Sequence, residues 1–588
     1  MINQDIAKIF REMAVMLEMQ GVAFKPRAFE RAAQDIENLA GDLKEIYKKG
    51  GLKALEDVPG VGRGMAERIE EYIKTHRIKD YEQLKKKIPV KIDELTAVEG
   101  IGPKAVYKLY KELGIRNLGQ MEKAAKAGKI SRLEGFGEKS EEKILRGIDF
   151  VKKHTGRYVL GFILPTIREI AHRLDKHPYT NKVVVAGSVR RMQETIGDVD
   201  ILITSKKPEV VMKEFISMPE VKRVVAHGLT KSVVKLDDGL EVDLRVVPPE
   251  SFGAALQYFS GDKNHNVELR KTAIQKGYKL NEYGLFKIAD KRGPKRGPTQ
   301  KEMLTAGETE EEIYRILGMD FIPPEIRTAS GEIKAAQMHK LSKLIPYNSL
   351  QGDLQVQTNW TDGEDSIEEM AEAARKAGLE YICITDHTKS LAMTGGADEK
   401  KLLKQMAAID KVNLKLKTKN LKLKVLKGAE VNIAKDGSLD IEDKVLAKLD
   451  VVGAAVHSHF NLSRAEQTKR IVKAMENPNV DILFHPTGRV INRRPAYEVD
   501  IDEIIKAAKK TGTILEIDAY ANRLDLKDEH IRKAIEAGVK LSIDSDAHST
   551  EHFKYLELGI AQARRGWAEK KDVINAWPLD KMLHFLKR

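Results

Sequence analysis

The run Gly197-Asp198-Val199-Asp200-Ile201-Leu202-Ile203 alternates polar and apolar residues, the pattern of a half-buried β-strand. Residues two apart on a strand share a face, so Asp198 and Asp200 project side by side. A second alternating run, Leu240-Glu241-Val242-Asp243-Leu244-Arg245-Val246-Val247, carries a third acid. If the two strands are neighbours, three carboxylates converge, and such a cluster repels itself unless divalent cations fill it. Two cations about 3.5–4 Å apart activate a 3′-hydroxyl and steady a leaving pyrophosphate. Upstream, Gly187-Ser188-Val189-Arg190-Arg191 follows the β run Lys182–Ala186. A glycine–serine turn between strand and helix offers amide donors and a hydroxyl to terminal phosphates. Arg191 supplies charge for the leaving group. One Asp-x-Asp alone is more often a pair of surface acids on an edge strand. Joined to the glycine–serine turn and a third aspartate, it favours nucleotidyl transfer.

Further along stands Gln257-Tyr258-Phe259-Ser260-Gly261-Asp262-Lys263-Asn264-His265-Asn266, followed by Leu269-Arg270. Aromatic rings beside a nucleotide site pack on a sugar, and Asn and Arg reach acceptors of the minor groove. For Phe259 a place in a core aromatic pair is an equally ordinary reading. The loop Asp290–Pro298 reads as a solvated hairpin.

Beyond residue 345 strand–helix repeats follow, among them Tyr381–Thr385, Val451–Val456, Ile482–Phe484, Ile514–Ile517 and Lys540–Ile543. This is the signature of a parallel α/β sheet with barrel-like closure. Polar residues follow several of these strands: Asp386-His387, His457, His485 and Asp546-Ala547-His548, with Glu430 joining them. Ligands gather at strand C-terminal ends in such barrels. A single histidine there is more often a satisfied polar residue, but four with acids point to a metal site.

The elements that position these residues begin with a helical region, residues 1 to about 150. One pattern occurs there three times: Val58-Pro59-Gly60-Val61-Gly62, Val98-Glu99-Gly100-Ile101-Gly102 and Leu133-Glu134-Gly135-Phe136-Gly137. An apolar residue precedes each glycine pair and an amphipathic helix follows, the helix-hairpin-helix design. Free amides at the helix start then grip a nucleic-acid backbone without reading bases. One copy alone would be helix punctuation.

Composition bounds the rest. The 588 residues suggest three to five folding units. With 42% hydrophobic and 32% charged residues, gross disorder is excluded. No apolar run approaches the roughly 18–20 residues of a membrane span. The N-terminus reads as an amphipathic helix, not a signal peptide. One cysteine excludes an internal disulfide and fits a reducing cytoplasm. The net charge of +13 makes a polyanionic partner plausible without proving one.

Taken in order, the hairpins, Gly-Ser…Asp-Val-Asp…Val-Asp-Leu-Arg and Tyr-Phe-Ser-Gly resemble DNA polymerase family X, the beta-like repair polymerases. The resemblance spans about residues 1–328 and includes Ile322-Pro323-Pro324-Glu325-Ile326-Arg327 near its end. It implies a helical, lyase-like DNA-binding domain over 1–85 and a helix-hairpin-helix fingers-type domain over 86–150. A palm over 151–247, a thumb-type domain over 248–328 and a linker over 329–345, its sequence read as a helical connector over about 330–345, would follow. Asp198, Asp200 and Asp243 would bind two Mg²⁺ (or Mn²⁺), with Asp243 also the base. Ser188 and Arg191 would hold the triphosphate of a dNTP, with Gly187 and Gly197 beside it. Tyr258 and Phe259 would face its sugar, and Asn266 and Arg270 would contact base and template. The resemblance also admits a monovalent cation at the hairpins, whose DNA-binding glycines are Gly60, Gly62, Gly100, Gly102, Gly135 and Gly137. One departure stands out. Where beta-like members carry a Schiff-base lysine, this sequence has Arg68. A guanidinium stays protonated and is a poor nucleophile, so lyase chemistry at that position is not expected. Lys25 could bind a 5′-phosphate instead.

Residues 346–588 resemble a PHP domain, a metal-dependent phosphoesterase barrel often fused to bacterial and archaeal family X polymerases. Active members imply three metals, Mn²⁺ or Zn²⁺ here, and a 3′–5′ exonuclease. The first motif should read Asp-x-His-x-His; here it is Asp353-Leu354-Gln355-Val356-Gln357, then Asp362-Gly363. Asp362, His387, Glu430, His457, His485, Asp546 and His548 remain as ligands. Glutamine is a weaker ligand than imidazole, so the exonuclease is expected to be strongly reduced or absent. The competing reading is that the remaining metals still cleave phosphoesters.

The expectation is a multidomain α and α+β chain: helix-hairpin-helix N-terminal region, nucleotidyltransferase-type palm and thumb, and a C-terminal distorted (β/α) barrel of PHP type. It would be a cytoplasmic, monomeric, template-directed DNA polymerase filling gaps in base excision repair. Its partners would be gapped or primed duplex DNA and dNTP, with no membrane. The alternatives are a template-independent nucleotidyltransferase and a DNA-binding repair scaffold.

Overall fold

Apolar residues at helical spacing fold the first region into helices, among them Ile2–Met19, Lys25–Asn38 and Arg63–Thr75. Ile6, Phe10, Met13, Ala66 and Ile69 are buried in their common core. The computed structural model describes the chain except for residues 1, 39–42, 59, 99–100, 155, 289–302, 392–393 and 587–588. The chain divides into two units, residues 1–155 with 492–494, and 156–491 with 495–588. Gly100, Pro59 and the expected hairpin at 290–298 lie outside the described residues. Among the described residues no helix is long and apolar enough to cross a membrane.

In the first unit the three glycine motifs form one turn. Val61 N–H donates to Val58 O at 3.0 Å, Ile101 to Val98 O at 3.0 Å and Phe136 to Leu133 O at 2.9 Å. Gly60 (φ 70°) and Gly135 (φ 83°) adopt the left-handed conformation that glycine makes cheap. Gly62 and Gly102 cap Arg63–Thr75 and Pro103–Leu113 with no side chain over the free amides. The helix Glu138–His154 begins directly after Gly137.

The second unit opens with a five-stranded mixed sheet. Its order is Thr180–Val185, Asp198–Ser205, Glu241–Val246, Lys231–Leu236 and Val221–His227. Asp198–Ser205 runs parallel to Glu241–Val246, and the other pairings are antiparallel. A smaller antiparallel sheet, Tyr278–Asn281, Gly284–Lys287 and Met303–Ala306, follows.

Seven parallel strands then run in sequence order from Gly352–Val356 to Leu541–Asp544. Their near-continuous apolar character follows from burial on both faces. The first and last strands nearly close the barrel. Across this seam Leu354 N–H donates to Asp544 at 2.8 Å, and Asn575 Nδ2 donates to the carbonyls of Gly352 (2.9 Å) and Ile543 (2.6 Å). The helical connector expected over about 330–345 is shorter: only Glu332–Gln337 is α-helix. His339, at φ 55°, turns the chain out of it.

The palm core is not built from palm residues alone. Ile491, Ala521, Leu524, Tyr555 and Leu558 from the barrel pack with Leu164, Ile167 and Ile196. The approach is close at Gly161, where a Cβ would lie 2.4 Å from Leu558 Cδ1 and 2.7 Å from Ala521 Cβ. Gly161→Val forces those elements apart. The expected loss is about 1–3 kcal/mol, the usual range for overpacking. Urea unfolding measures it; unchanged stability would show that palm and barrel do not meet there.

Candidate active site

Parallel pairing of Asp198–Ser205 with Glu241–Val246 sets Asp200 opposite Asp243. Val199, Ile201, Ile203, Val242 and Leu244 are buried in the palm core, while Leu202, on the Asp198/Asp200 face, packs under Phe252, Ala255 and Leu256. A one-residue slip would bury the acids, so packing fixes the register. Asp198 is exposed; Asp200 and Asp243 are half-buried. Burial, then the charges of Asp198 and Asp243, push the Asp200 carboxyl up to about 6. Arg245 Nη2 donates to Asp243 Oδ2 at 2.7 Å, and Lys231 Nζ lies 3.1 Å from the same oxygen. Asp243 Oδ1 is buried without a hydrogen-bond partner among the described residues. Three crowded carboxylates with an orphaned oxygen fit a site for divalent cations.

The glycine–serine turn lies over this cluster. Gly187 has φ 64°, and a Cβ there would sit 2.8 Å from Asp200 Oδ2. Only glycine lets the backbone come so near the carboxylate. Ser188 is half-buried in the short helix Gly187–Arg190. Arg191 Nη1 donates to the Ser260 carbonyl at 2.7 Å. Arg190, to which the sequence assigned no role, forks onto Glu310 at 3.0 and 2.6 Å and donates to Ser260 Oγ at 2.7 Å. Arg327 holds the other side of Glu310. The turn is thus tied to the segment around Ser260 by two arginines.

The ring of Phe259 is half-buried, meets Tyr258 edge-on at 5.2 Å and lies 4.6 Å from the Arg245 guanidinium. Gly197 is exposed. Arg270 is exposed, its Nε donating to the Asn266 carbonyl at 3.1 Å. The sequence expects Asn266 at a base edge, but its amide has another task here. Nδ2 donates to the carbonyls of Tyr258 (2.7 Å) and Gly261 (3.1 Å), and Oδ1 accepts from Gln257 at 3.0 Å. Asn266 therefore shapes the Tyr-Phe-Ser-Gly turn. In the first unit, Lys25, Gly60, Gly62 and Arg68 line a cavity of about 400 Å³. Arg68 donates to the Gly64 carbonyl and pairs with Asp80.

In the barrel Glu430 is the hub. Its Oε1 lies 3.0 Å from His457 Nε2 and 2.8 Å from His485 Nε2. Its Oε2 lies 3.3 Å from His387 Nδ1 and accepts Gln357 Nε2 at 2.8 Å. Burial would raise this carboxyl, but the charges of His387 and His457 hold it well below the usual range. Asp362 Oδ2 stands 3.6 Å from His387 Nε2 and 3.7 Å from His548 Nε2, and Asp546 Oδ1 is 3.8 Å from His548 Nδ1. Two triads, Asp362/His387/His548 and His387/Glu430/His457, have ligand atoms within 4.8 Å of one another. They fit a divalent metal. Gln355 differs: it is fully buried, and neither polar atom of its side chain has a hydrogen-bond partner among the described residues. Sequence reasoning missed Glu516, Asp518 and Asp544, buried acids whose carboxyls are raised by burial and by neighbouring acids, Asp546 among them. The signal was an acid alternating with apolar residues in Ile514-Leu515-Glu516-Ile517-Asp518.

The carboxylate cluster under a glycine–serine turn and the histidine-rich barrel mouth define a nucleotidyltransferase of the polymerase-beta type joined to a PHP domain. Family models match in that order: helix-hairpin-helix domain over 1–78, SAM-like helix-hairpin-helix tandem over 92–149, DNA polymerase beta palm over 163–252, DNA polymerase beta thumb over 255–328 and PHP domain over 353–520. The DNA polymerase/3′-5′ exonuclease PolX of Bacillus subtilis (strain 168) is 38% identical over 594 residues, covering 100% of this chain and 99% of that protein. A probable phosphatase of Thermoanaerobacter sp. (strain X514) is 36% identical over 233 residues, 38% of this chain and 88% of its own. DNA polymerase lambda of Arabidopsis thaliana is 23% identical over 349 residues, 55% of this chain and 62% of its own. The chain belongs to the PolX family, the family X DNA polymerases that carry a PHP domain. Polymerase and PHP domains imply dependence on divalent metal, and the hairpins and thumb imply binding to DNA.

The raised Asp200 carboxyl has a measurable sign. An aspartate ionises near 3.9 in an unfolded chain, so between about pH 4 and 6 the folded protein binds the extra proton and loses stability as pH rises. Asp200→Asn should therefore stabilise the metal-free protein at pH 8, by about 1–2 kcal/mol after allowing for solvent screening. The gain should shrink toward zero near pH 4, while nucleotide incorporation is lost. Melting in chelator at both pH values checks this; no gain at pH 8 contradicts the crowding.

Proposed function

We propose that the chain fills short gaps in duplex DNA by template-directed nucleotidyl transfer to a primer 3′-hydroxyl, as in base excision repair. The observation that carries the reading is Asp200 in register with Asp243 beneath the Gly187 turn. Divalent cations bound by Asp198, Asp200 and Asp243 would lower the pKa of the 3′-hydroxyl and neutralise charge on the pyrophosphate; Mg²⁺ or Mn²⁺ suits these oxygen ligands. The unpartnered Oδ1 of Asp243 is free to accept the hydroxyl proton. Ser188 and the amides of the turn meet the triphosphate, and Arg191, anchored on Ser260, offsets charge on the leaving group. Tyr258 and Phe259 flank the sugar. The hairpin amides bind backbone phosphates in the first unit, and the cavity at Lys25 and Arg68 suits a 5′-phosphate without Schiff-base chemistry.

For the barrel we propose a strongly impaired 3′–5′ exonuclease. Gln357 donates an amide hydrogen to Glu430, where a cation would compete for the same oxygen. Gln355 contributes no imidazole. Two intact triads favour a second reading, residual phosphoester cleavage with Mn²⁺ or Zn²⁺.

A one-nucleotide gapped duplex, with each dNTP offered separately, should accept only the complementary nucleotide. Asp243→Ala should abolish extension with DNA affinity retained, and affinity should fall as salt rises. Base-indifferent addition would indicate a template-independent transferase; DNA binding without extension would indicate a scaffold.

On a 3′-labelled strand with Mn²⁺, Gln355→His/Gln357→His should degrade DNA at least about tenfold faster than the unaltered chain, the scale on which metal-site groups act. Equal, vigorous degradation by both would defeat the claim of impairment.

A further inference from the structure

The loop between the nucleotide turn and the catalytic strand is held from outside the palm. Glu194 stands between Arg191 and Asp198, and its carboxylate accepts hydrogen bonds from the barrel. Arg489 forks onto it, Nη1 to Oε2 at 3.0 Å and Nη2 to Oε1 at 2.7 Å. Gln562 Nε2 donates to Oε1 at 2.9 Å. Arg565 donates to the Met192 carbonyl, with a second nitrogen 3.7 Å from Glu194. Met192 has φ 48°, a conformation that a non-glycine residue keeps only where its surroundings enforce it. On the palm side, Gln193 N–H donates to the Ser188 carbonyl at 3.0 Å and Leu160 N–H to the Glu194 carbonyl at 3.0 Å. The loop is thereby pinned between the phosphate turn and the barrel. Glu194 and Arg489 side chains are only 19% and 13% exposed. Breaking one partner of such a pair leaves a charge in a poor solvent.

We propose that Arg489 of the PHP barrel is a positioning residue for the polymerase site: through Glu194 it sets the loop that places Arg191 and Asp198 around the incoming nucleotide. The inference rests on the polymerase reading above. Arg489 touches no reacting group. It acts by geometry, and a displacement of about 1 Å at a reacting centre is worth up to about 100-fold in rate. The barrel segment that carries Arg489 also holds His485 of the barrel site four residues earlier, and Thr487 N–H ties it to Asp525 at 2.9 Å. One chain segment therefore borders both sites.

The test uses the full-length chain in single-nucleotide gap filling, with kcat and the KM for dNTP measured separately. Arg489→Ala should raise the KM for dNTP about tenfold or more with kcat changed less and affinity for gapped DNA unaltered. Arg489→Lys keeps the charge but not the fork, and should fall between. Arg168→Ala is the control: it removes an exposed palm–barrel pair with Glu557 that does not touch the loop, and should leave the KM unchanged. If Arg489→Ala does not fold, Arg489→Lys decides alone. An unchanged KM in the folded Arg489 variants overturns the proposal, as does an equal rise in Arg168→Ala. No incorporation by the unaltered chain would instead refute the polymerase reading itself.

Discussion

Two aspartates placed opposite each other on parallel strands repel, and the palm has to make that repulsion tolerable without removing it. Its answer is partial. Arg245 and Lys231 engage one oxygen of Asp243 and leave the other bare. Asp200 feels the same two cations only through space, where burial and the charges of Asp198 and Asp243 outweigh them, and it holds its proton to about 6. A fully neutralised cluster would have no affinity for cations, and an uncompensated one would weaken the fold. Gly187 fits the same logic, since any larger residue would drive the phosphate turn off Asp200.

The barrel handles its central acid differently. Glu430 is surrounded by three imidazoles and one carboxamide: His457, His485 and Gln357 hydrogen-bond to it, and His387 Nδ1 stands 3.3 Å away. That arrangement needs no cation to be electrostatically balanced. Replacing Gln357 by histidine would exchange a neutral donor for a group that can bind metal through a lone pair. The site is therefore a satisfied polar cluster whose acids and histidines also fit a divalent metal.

How far this was legible depended on whether the cause was local. Alternation exposed Asp198, Asp200 and Asp243 because each strand buries one face. Gly60 and Gly135, the leading glycines of two hairpins, were legible because positive φ selects glycine. The connector was misjudged: Ile333 and Ala336 continue a helical pattern, but the turn at His339 and the bridge from Leu344 to Glu569 come from tertiary packing. Asn266 could not be assigned from its type, since an amide serves a backbone turn as well as a base edge. Nothing local marks Glu194 and Arg489, which pair across 295 residues.

That long-range pairing bears on why the PHP barrel stays part of a polymerase chain. Ala521, Leu524, Tyr555 and Leu558 are buried against Leu164 and Ile167 in one core, so the palm does not finish its own hydrophobic layer. Removing the barrel would expose those palm residues, each worth about 1.5–3 kcal/mol when fully buried. It would also strand Glu194 without its hydrogen-bond donors. Such losses rival the whole stability of an ordinary domain, about 5–15 kcal/mol. The barrel is thus retained by packing whatever its own site still hydrolyses. The palm loop at Glu194 depends in turn on the barrel for the hydrogen bonds it accepts from Arg489 and Gln562.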